Sequence, residues 1–299
     1  MISIHHVVAT GEETTPPVIV ARPPQVDWGR FGIATGIVGA SVIGLHILQY
    51  NSWWANDRQP FHIYDDPDYK ANFDKFGHVF GTYATSHFFQ EAYSWSGLDS
   101  ARSELLAAVS GAVYEFYVEI EDGFGKQWGF SPGDATADLI GATFFLLRNR
   151  VDFLRNFQYK WFYFPSPQVL HGSADIPGQS LNPIDDYGGQ SYWLTVDINR
   201  MLPESAKGYW PRWLNLAFGA GGYNIGNEST SATIDPNIKP QIAYYIGLDY
   251  DLEKIIPESS IGIINFIRRG LSYWRFPAPA YRIHPDPRFF ILFPLQMTL

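Results

Sequence analysis

The run Phe31–Gln49, FGIATGIVGASVIGLHILQ, holds nineteen residues without one Asp, Glu, Lys or Arg. As a helix it is about 28 Å long, close to the ~30 Å hydrocarbon core of a bilayer. A helix that is apolar all round must face lipid or be enclosed by protein, so this segment constrains everything packed beside it. Gly32, Gly36, Ala40 and Gly44 recur every four residues, a small-residue stripe of the kind that lets membrane helices approach one another. Trp53 and Trp54 follow where an interfacial aromatic belt would sit. The expectation is a helix inserted in a membrane or packed on its surface. The alternative is a buried helix of a soluble bundle, and His46 is the residue that speaks for it.

Composition narrows the classes further. Charged residues make up 17% of the chain and aromatics another 17%, with ten Trp and eighteen Tyr, side chains that favour places with one apolar and one wet end. The net charge is −9 and no Lys/Arg run exceeds two residues, so no nucleic-acid partner is expected. The absence of cysteine removes disulfides, thiolate metal ligands and a lipidated cysteine from consideration. Thr15-Pro16-Pro17 and Arg22-Pro23-Pro24 mark residues 1–30 as a flexible, Pro-containing lead-in without the pattern of a signal peptide.

Two modules are expected after the lead-in. Residues 31–160 read as a helical, membrane-associated module with helices near Asn72 to Trp95, Ser100 to Asp122 and Ser131 to Arg148. The loop Gly123 to Phe130 between the last two carries three glycines suited to a C-cap and a turn. Residues 161–299 read as a strand-rich module, because after Pro165 the hydrophobic period changes from 3.6 to 2. Tyr192, Leu194, Val196 and Ile198 alternate with Trp193, Thr195, Asp197 and Asn199, and Leu214, Leu216 and Phe218 repeat the pattern. Ile242 to Leu252 alternates likewise, Ala280–His284 and Phe289–Phe293 form a closing hairpin, and a helix lies near Ser259 to Arg269. The fold class is α+β: an N-terminal helical bundle with one membrane-like helix, then a small antiparallel sheet. Five or so strands cannot close a transmembrane barrel, which needs at least about eight. The apolar sheet face must therefore cover the helices, meet lipid or meet an envelope protein partner.

The helical module carries a distinctive polar set. Residues four apart share a helix face, which pairs Asp74 with His78, Glu115 with Glu119, and Asp134 with Asp138, with Asp122 near the second pair. Gly111, Ala108 and Gly141 lie along the same faces and allow close approach of neighbours. Paired carboxylates and a histidine projecting inward from several helices are how metal sites are built in bundles. One His with several oxygen ligands suits Mg²⁺, Mn²⁺, Fe or Zn²⁺. Each pair also has a plain structural account. Ser131-Pro132-Gly133-Asp134 is a capping box, Asp74 stands in a first turn where the macrodipole favours negative charge, and Glu115 and Glu119 could face water. An idle, satisfied Asp74–Lys75–His78 network would account for the whole set.

Two motif matches are set aside. Gly129-Phe130-Ser131-Pro132-Gly133 matches a nucleophile elbow, but Pro132 has no N–H for an oxyanion hole. Gly219-Ala220-Gly221-Gly222 lacks dinucleotide-binding spacing and reads as a turn between strands.

Phe61-His62-Ile63-Tyr64-Asp65-Asp66, Asp74-Lys75-Phe76-Gly77-His78, Glu121-Asp122-Gly123-Phe124 and Trp128-Gly129-Phe130-Ser131-Pro132-Gly133-Asp134 together resemble the YfiM-like family of bacterial periplasmic lipoproteins of unknown function. The resemblance continues through Asp186–Leu194 to Pro277-Ala278-Pro279 and looks most like the long version from Bacteroidetes-type bacteria. The Asp-Lys-x-x-His pattern with a later Asp is also similar, more distantly, to VanZ-like membrane proteins. These resemblances imply the bacterial cell envelope, on the periplasmic side or at the outer membrane, and imply no activity. The lipoprotein cysteine is missing, so Phe31–Gln49 takes its place as the expected anchor. The family usually has Asn where this chain has Asp138, so no ligand role passes to that residue. The expected ligand set is Asp74, His78, Glu119 and Asp122, with Glu115, Asp134 and Asp138 around it. The function expected first is a structural or assembly role at the membrane. The alternative is a divalent-metal-dependent hydrolase acting on a lipid or other envelope substrate.

Overall fold

Three of the four long helices begin where a side chain takes up an otherwise orphaned backbone N–H. Asp27 accepts from Arg30 N and Asp99 from Arg102 N, both at 3.0 Å, while Ser131 accepts from Asp134 N at 3.2 Å with Pro132 in the first turn. In the computed structural model, which describes residues 26–55, 58–64, 69–171, 183–226, 235 and 237–295, these caps open α1 (Trp28–Gln49), α3 (Ser100–Asp122) and α4 (Pro132–Arg150). Helix α2 is Asp74–Trp95. The Pro-containing lead-in lies outside the described residues as far as residue 25, as does much of the connector before α2.

The four helices run up and down. Asp27 N donates to Ser96 O, which sets the start of α1 beside the end of α2. Arg150 reaches Ala101 O, and Ser131 N reaches Glu119, so α4 runs antiparallel to α3. Hence the end of α1, the start of α2, the end of α3 and the start of α4 meet at one end of the bundle.

Glycine decides how close the helices come. A Cβ on Gly141 of α4 would stand 2.4 Å from Val79 O of α2, and one on Gly111 of α3 would stand 2.5 Å from Ser86 Oγ. Both neighbours therefore lie against the α2 backbone itself. The small-residue stripe of α1 plays no such part: Gly32, Gly36 and Gly44 have open space beside them, and α1 meets the bundle through buried Ala34 and Val38. The stripe faces outward because Ala34 and Val38 lie on the other side of the helix.

The remaining chain forms one antiparallel sheet in the order β1-β2-β3-β4-β5-β6: Phe157–Tyr163, Gln190–Val196, Leu214–Tyr223, Gln241–Tyr250, Ala280–His284 and Arg288–Phe290. A helix α5 (Gly262–Leu271) precedes β5. The fold class is thus α+β, with a helical N-terminal region followed by a six-stranded antiparallel sheet. Residues from every strand share one core: Phe162, Trp193, Ala217, Tyr245, Ala280 and Phe290. Phe162 of β1 lies 5.3 Å from Phe293, just beyond β6. In a flat sheet the outer strands would stand about 24 Å apart, so this one curls on itself.

The curl reverses the faces expected from alternation. The concave face carries Trp193, Thr195, Ala217 and Asp249, all buried, while Phe218, Tyr244 and Tyr281 on the apolar face stay exposed. The part of that face holding Tyr159, Trp161 and Tyr192 is covered by Phe73, Phe76 and Phe80 of the helical region. Gly219 to Gly222, expected as a turn, lie inside β3. A Cβ on Gly219 would stand 2.7 Å from the Trp193 ring, so the concave core requires glycine there. Lys160 and Asp249 are paired within this core at 2.6 Å. Burial pushes the Asp249 carboxyl up, against the opposing charge of Lys160. Arg275 lies 3.7 Å over the Trp193 ring, and burial pulls it down to about 10.

Gly141→Ala tests the close approach of α4 to α2. Helix propensity alone would stabilise the variant by up to ~1 kcal/mol. The 2.4 Å approach to a backbone oxygen outweighs that gain, and a net loss of about 1–3 kcal/mol is expected by thermal or chemical unfolding. Unchanged or raised stability contradicts the packing.

Candidate functional site

Three helices deliver the polar side chains to the end of the bundle where α1 also ends. His78 lies one turn into α2, and its Nδ1 stands 3.2 Å from Asp138 Oδ1 on α4 and 3.7 Å from Glu119 Oε1 on α3. Its Nε2 is 4.0 Å from Asp134 Oδ2. Single ligand atoms of His78, Glu119 and Asp138 all lie within 4.8 Å of one another. Glu119, 1% exposed, also accepts from Ser131 N at 3.1 Å. Asp138, 2% exposed, accepts from Thr82 Oγ1 at 3.1 Å, while its Oδ2 is buried without a hydrogen-bond partner.

The remaining expected residues surround this group. Lys75 Nζ lies 3.1 Å from Asp134 Oδ1 and 3.5 Å from Asp74 Oδ2, so the two carboxylates near the helix starts share a cation. Glu115 lies on the cavity wall beside Gly81, where a Cβ would stand 3.3 Å from its Oε1. Asp122 also lines the cavity and accepts from Trp54 Nε1 at 2.6 Å. Thus Glu119 and Asp138 come together at His78, Asp74 and Asp134 meet at Lys75, and Asp122 is held at the end of α1. Ser131 serves as the α4 cap and as a donor to Glu119, in keeping with the rejected elbow.

Six carboxylates therefore crowd one end of the bundle, with Lys75 and, when protonated, His78 as the facing cations. A low-dielectric interior does not hold that much like charge. It must be relieved by shared protons or by a bound cation.

A cavity of about 370 Å³ opens in front of His78 and Glu119. Its walls are largely aromatic and aliphatic: Leu45 of α1, Trp53 in the helical turn Tyr50–Trp54 that follows it, Tyr64, Trp128, Trp161 and Tyr192. Asp138 stands behind His78 and is not part of the wall. The sequence reading missed Leu45, Trp53 and Trp161 as wall residues, since nothing local links them to residues far along the chain. Thr82 was legible in principle, being four residues beyond His78 on the same helix face. The loop before α2 is held over the site by two-way pairing of His62 and Tyr64 with Phe130, and by Phe61 lying where a Cβ on Gly123 would stand 2.2 Å from its ring.

Residues 63–150 match the model of a family described as predicted periplasmic lipoprotein (DUF2279). The match covers under a third of the chain, and it takes in α2, α3 and α4, the three helices that carry the polar group. This similarity supports an envelope location and brings no activity with it. No curated protein and no solved structure matches the chain.

Removing the Asp138 carboxylate separates its two duties. Asp138→Ala leaves the His78 ring without its carboxylate partner and the Thr82 hydroxyl with the His78 carbonyl alone at 3.2 Å, and a loss of about 1–3 kcal/mol is expected in unfolding experiments. Asp138→Asn retains an acceptor oxygen for both and should cost clearly less. Equal losses for the two variants would show that the oxygen does not hold the ring.

Proposed function

We propose that this is an envelope hydrolase in which His78, Glu119 and Asp138 hold a divalent cation, and that its substrate is amphiphilic. The observation that carries the reading is the convergence of an imidazole nitrogen and two buried carboxylates from three helices, one of them with an oxygen lacking any partner. Donor atoms bound at about 2.1 Å to one ion stand roughly 3–3.4 Å apart. The 3.2 Å and 3.7 Å separations around His78 Nδ1 are near that range, and the three donor atoms, all within 4.8 Å of one another, reach it by drawing the two carboxylates together. The donor set of one nitrogen and several carboxylate oxygens suits Zn²⁺, Mn²⁺ or Fe rather than a thiophilic ion.

A bound ion would polarise a carbonyl or phosphoryl oxygen and acidify a water molecule. The chain's own groups supply the rest. Glu115 and Asp134 line the cavity on either side of His78 and Glu119, placed to accept or return a proton. Trp53, Trp128 and Trp161 line the cavity with apolar surface, which suits an acyl or other lipid-like portion while the polar floor takes the reacting group. A purely structural or assembly role leaves the crowded carboxylates and the open cavity without a use. Such groups cost stability unless shared protons or a bound cation relieve them, and the open cavity in front of them favours the cation.

Elemental analysis of the full-length protein tests this reading. Stoichiometric divalent metal is expected in the wild type and should be lost in His78→Ala, with chelation lowering the melting temperature of the wild type only. A folded wild-type protein without metal, not stabilised by added Zn²⁺ or Mn²⁺, contradicts the proposal.

A further inference from the structure

The bundle turns most of its carboxylates inward, beside an apolar core, and presents an uncharged outer face. On α3 the exposed side chains between Arg102 and Glu121 are Leu105, Val109, Val113, Phe116 and Ile120, from 37% to 64% exposed. On α4 the exposed positions from Thr136 to Leu147 are Thr136, Leu139, Ile140, Thr143 and Leu147. On α2 between Asp74 and Tyr93 only Phe88 is exposed. The exposed face of α1 is uncharged from Gly32 to Tyr50. Glu104, Glu119, Asp134 and Asp138 of these helices are buried. Helices of a water-exposed bundle place their charges on the opposite face.

The belt has the dimensions and edges of a bilayer. The α3 stripe from Leu105 to Ile120 covers about 23 Å along its axis and the uncharged run Phe31–Gln49 of α1 about 28 Å, against a hydrocarbon core of ~30 Å. At one end stand Trp28, Arg30, Trp95, Arg102 and Arg150, and at the other Tyr50, Trp53, Arg58, Glu121 and Lys126. Aromatic and charged residues at both rims are the signature of a membrane interface.

We infer that the bundle as a whole lies in the hydrocarbon of a bilayer, with the outer faces of α1, α3 and α4 against lipid acyl chains. Its continuity with Trp28–Trp54, among the described residues the one helical segment long and apolar enough to span by itself, favours lipid rather than a protein as the occupant of this belt. The buried carboxylates are then ionisable groups enclosed within a membrane bundle at its Trp53 rim, where a polar headgroup would reach them. The inference stands whether or not a metal is held at His78.

The cysteine-free sequence permits a direct test with single introduced thiols. The full chain is reconstituted in phosphatidylethanolamine–phosphatidylglycerol vesicles with a spin label at Ile37→Cys, Val113→Cys, Leu139→Cys or, as aqueous references, Lys126→Cys and Tyr209→Cys. Collision with molecular oxygen should dominate over collision with a water-soluble nickel chelate at positions 37, 113 and 139, and the order should invert at 126 and 209. Chelate access at 113 and 139 with oxygen dominance at 37 would show α1 as a lone anchor and overturn the inference. Low collision with both reagents at 113 and 139 would show a protein partner or a second copy on the belt, and overturn it as well. Ile37, Val113 and Leu139 are exposed and make no core contact, so the labels do not depend on a damaged fold.

Discussion

Two glycines set the distance on which the polar interior depends. With Gly141 against Val79 O and Gly111 against Ser86, α4 and α3 come close enough to α2 for short carboxylate side chains to reach one imidazole from both sides. A larger residue at either place would move a whole helix outward, because the opposing atoms belong to or adjoin the α2 backbone rather than to a flexible side-chain end. The separations around His78, 3.2 Å to Asp138 and 3.7 Å to Glu119, follow from that backbone contact.

Such an interior alters what the rest of the molecule must do. Charge gathered inside leaves the outer helix faces uncharged, and it leaves the site at the end of the bundle where Leu45 of α1 and Trp53 just beyond it join the cavity wall. The sheet closes the cavity from the other side with Trp161 and Tyr192, the latter packed on Phe73 and Phe76. An apolar-walled cavity with a carboxylate floor, beside a helix able to span a bilayer, joins the proposed chemistry to a lipid-like substrate.

Much of the helical half was legible, because its signals are local. Asp74 with His78 and Asp134 with Asp138 follow from four-residue spacing, and the start of α4 follows from Ser131 as its cap. What spacing could not show was the choice among carboxylates. Asp122 goes to the indole of Trp54, 68 residues away in sequence, whereas Asp138, which the family resemblance discounted, is the residue against His78. The sheet misled for a different reason. Alternation marks two faces without saying which is covered, and here the curl buries the face of small, polar and indole side chains while the aliphatic face stays partly open. β1 escaped notice because Phe157–Tyr163 alternates aromatics with Gln158 and Lys160, and Lys160 is buried in an ion pair.

The central claim is that the charge of Glu119 and Asp138 is balanced at His78 by a cation. Anomalous diffraction from crystals grown with Mn²⁺ or Zn²⁺, recorded on both sides of the metal's absorption edge, tests it most directly. The account predicts one dominant anomalous peak within bonding distance of His78, Glu119 and Asp138, about 2.1 Å from each donor atom. Peaks confined to exposed acidic side chains, with the His78 group fully ordered and bare, would contradict it.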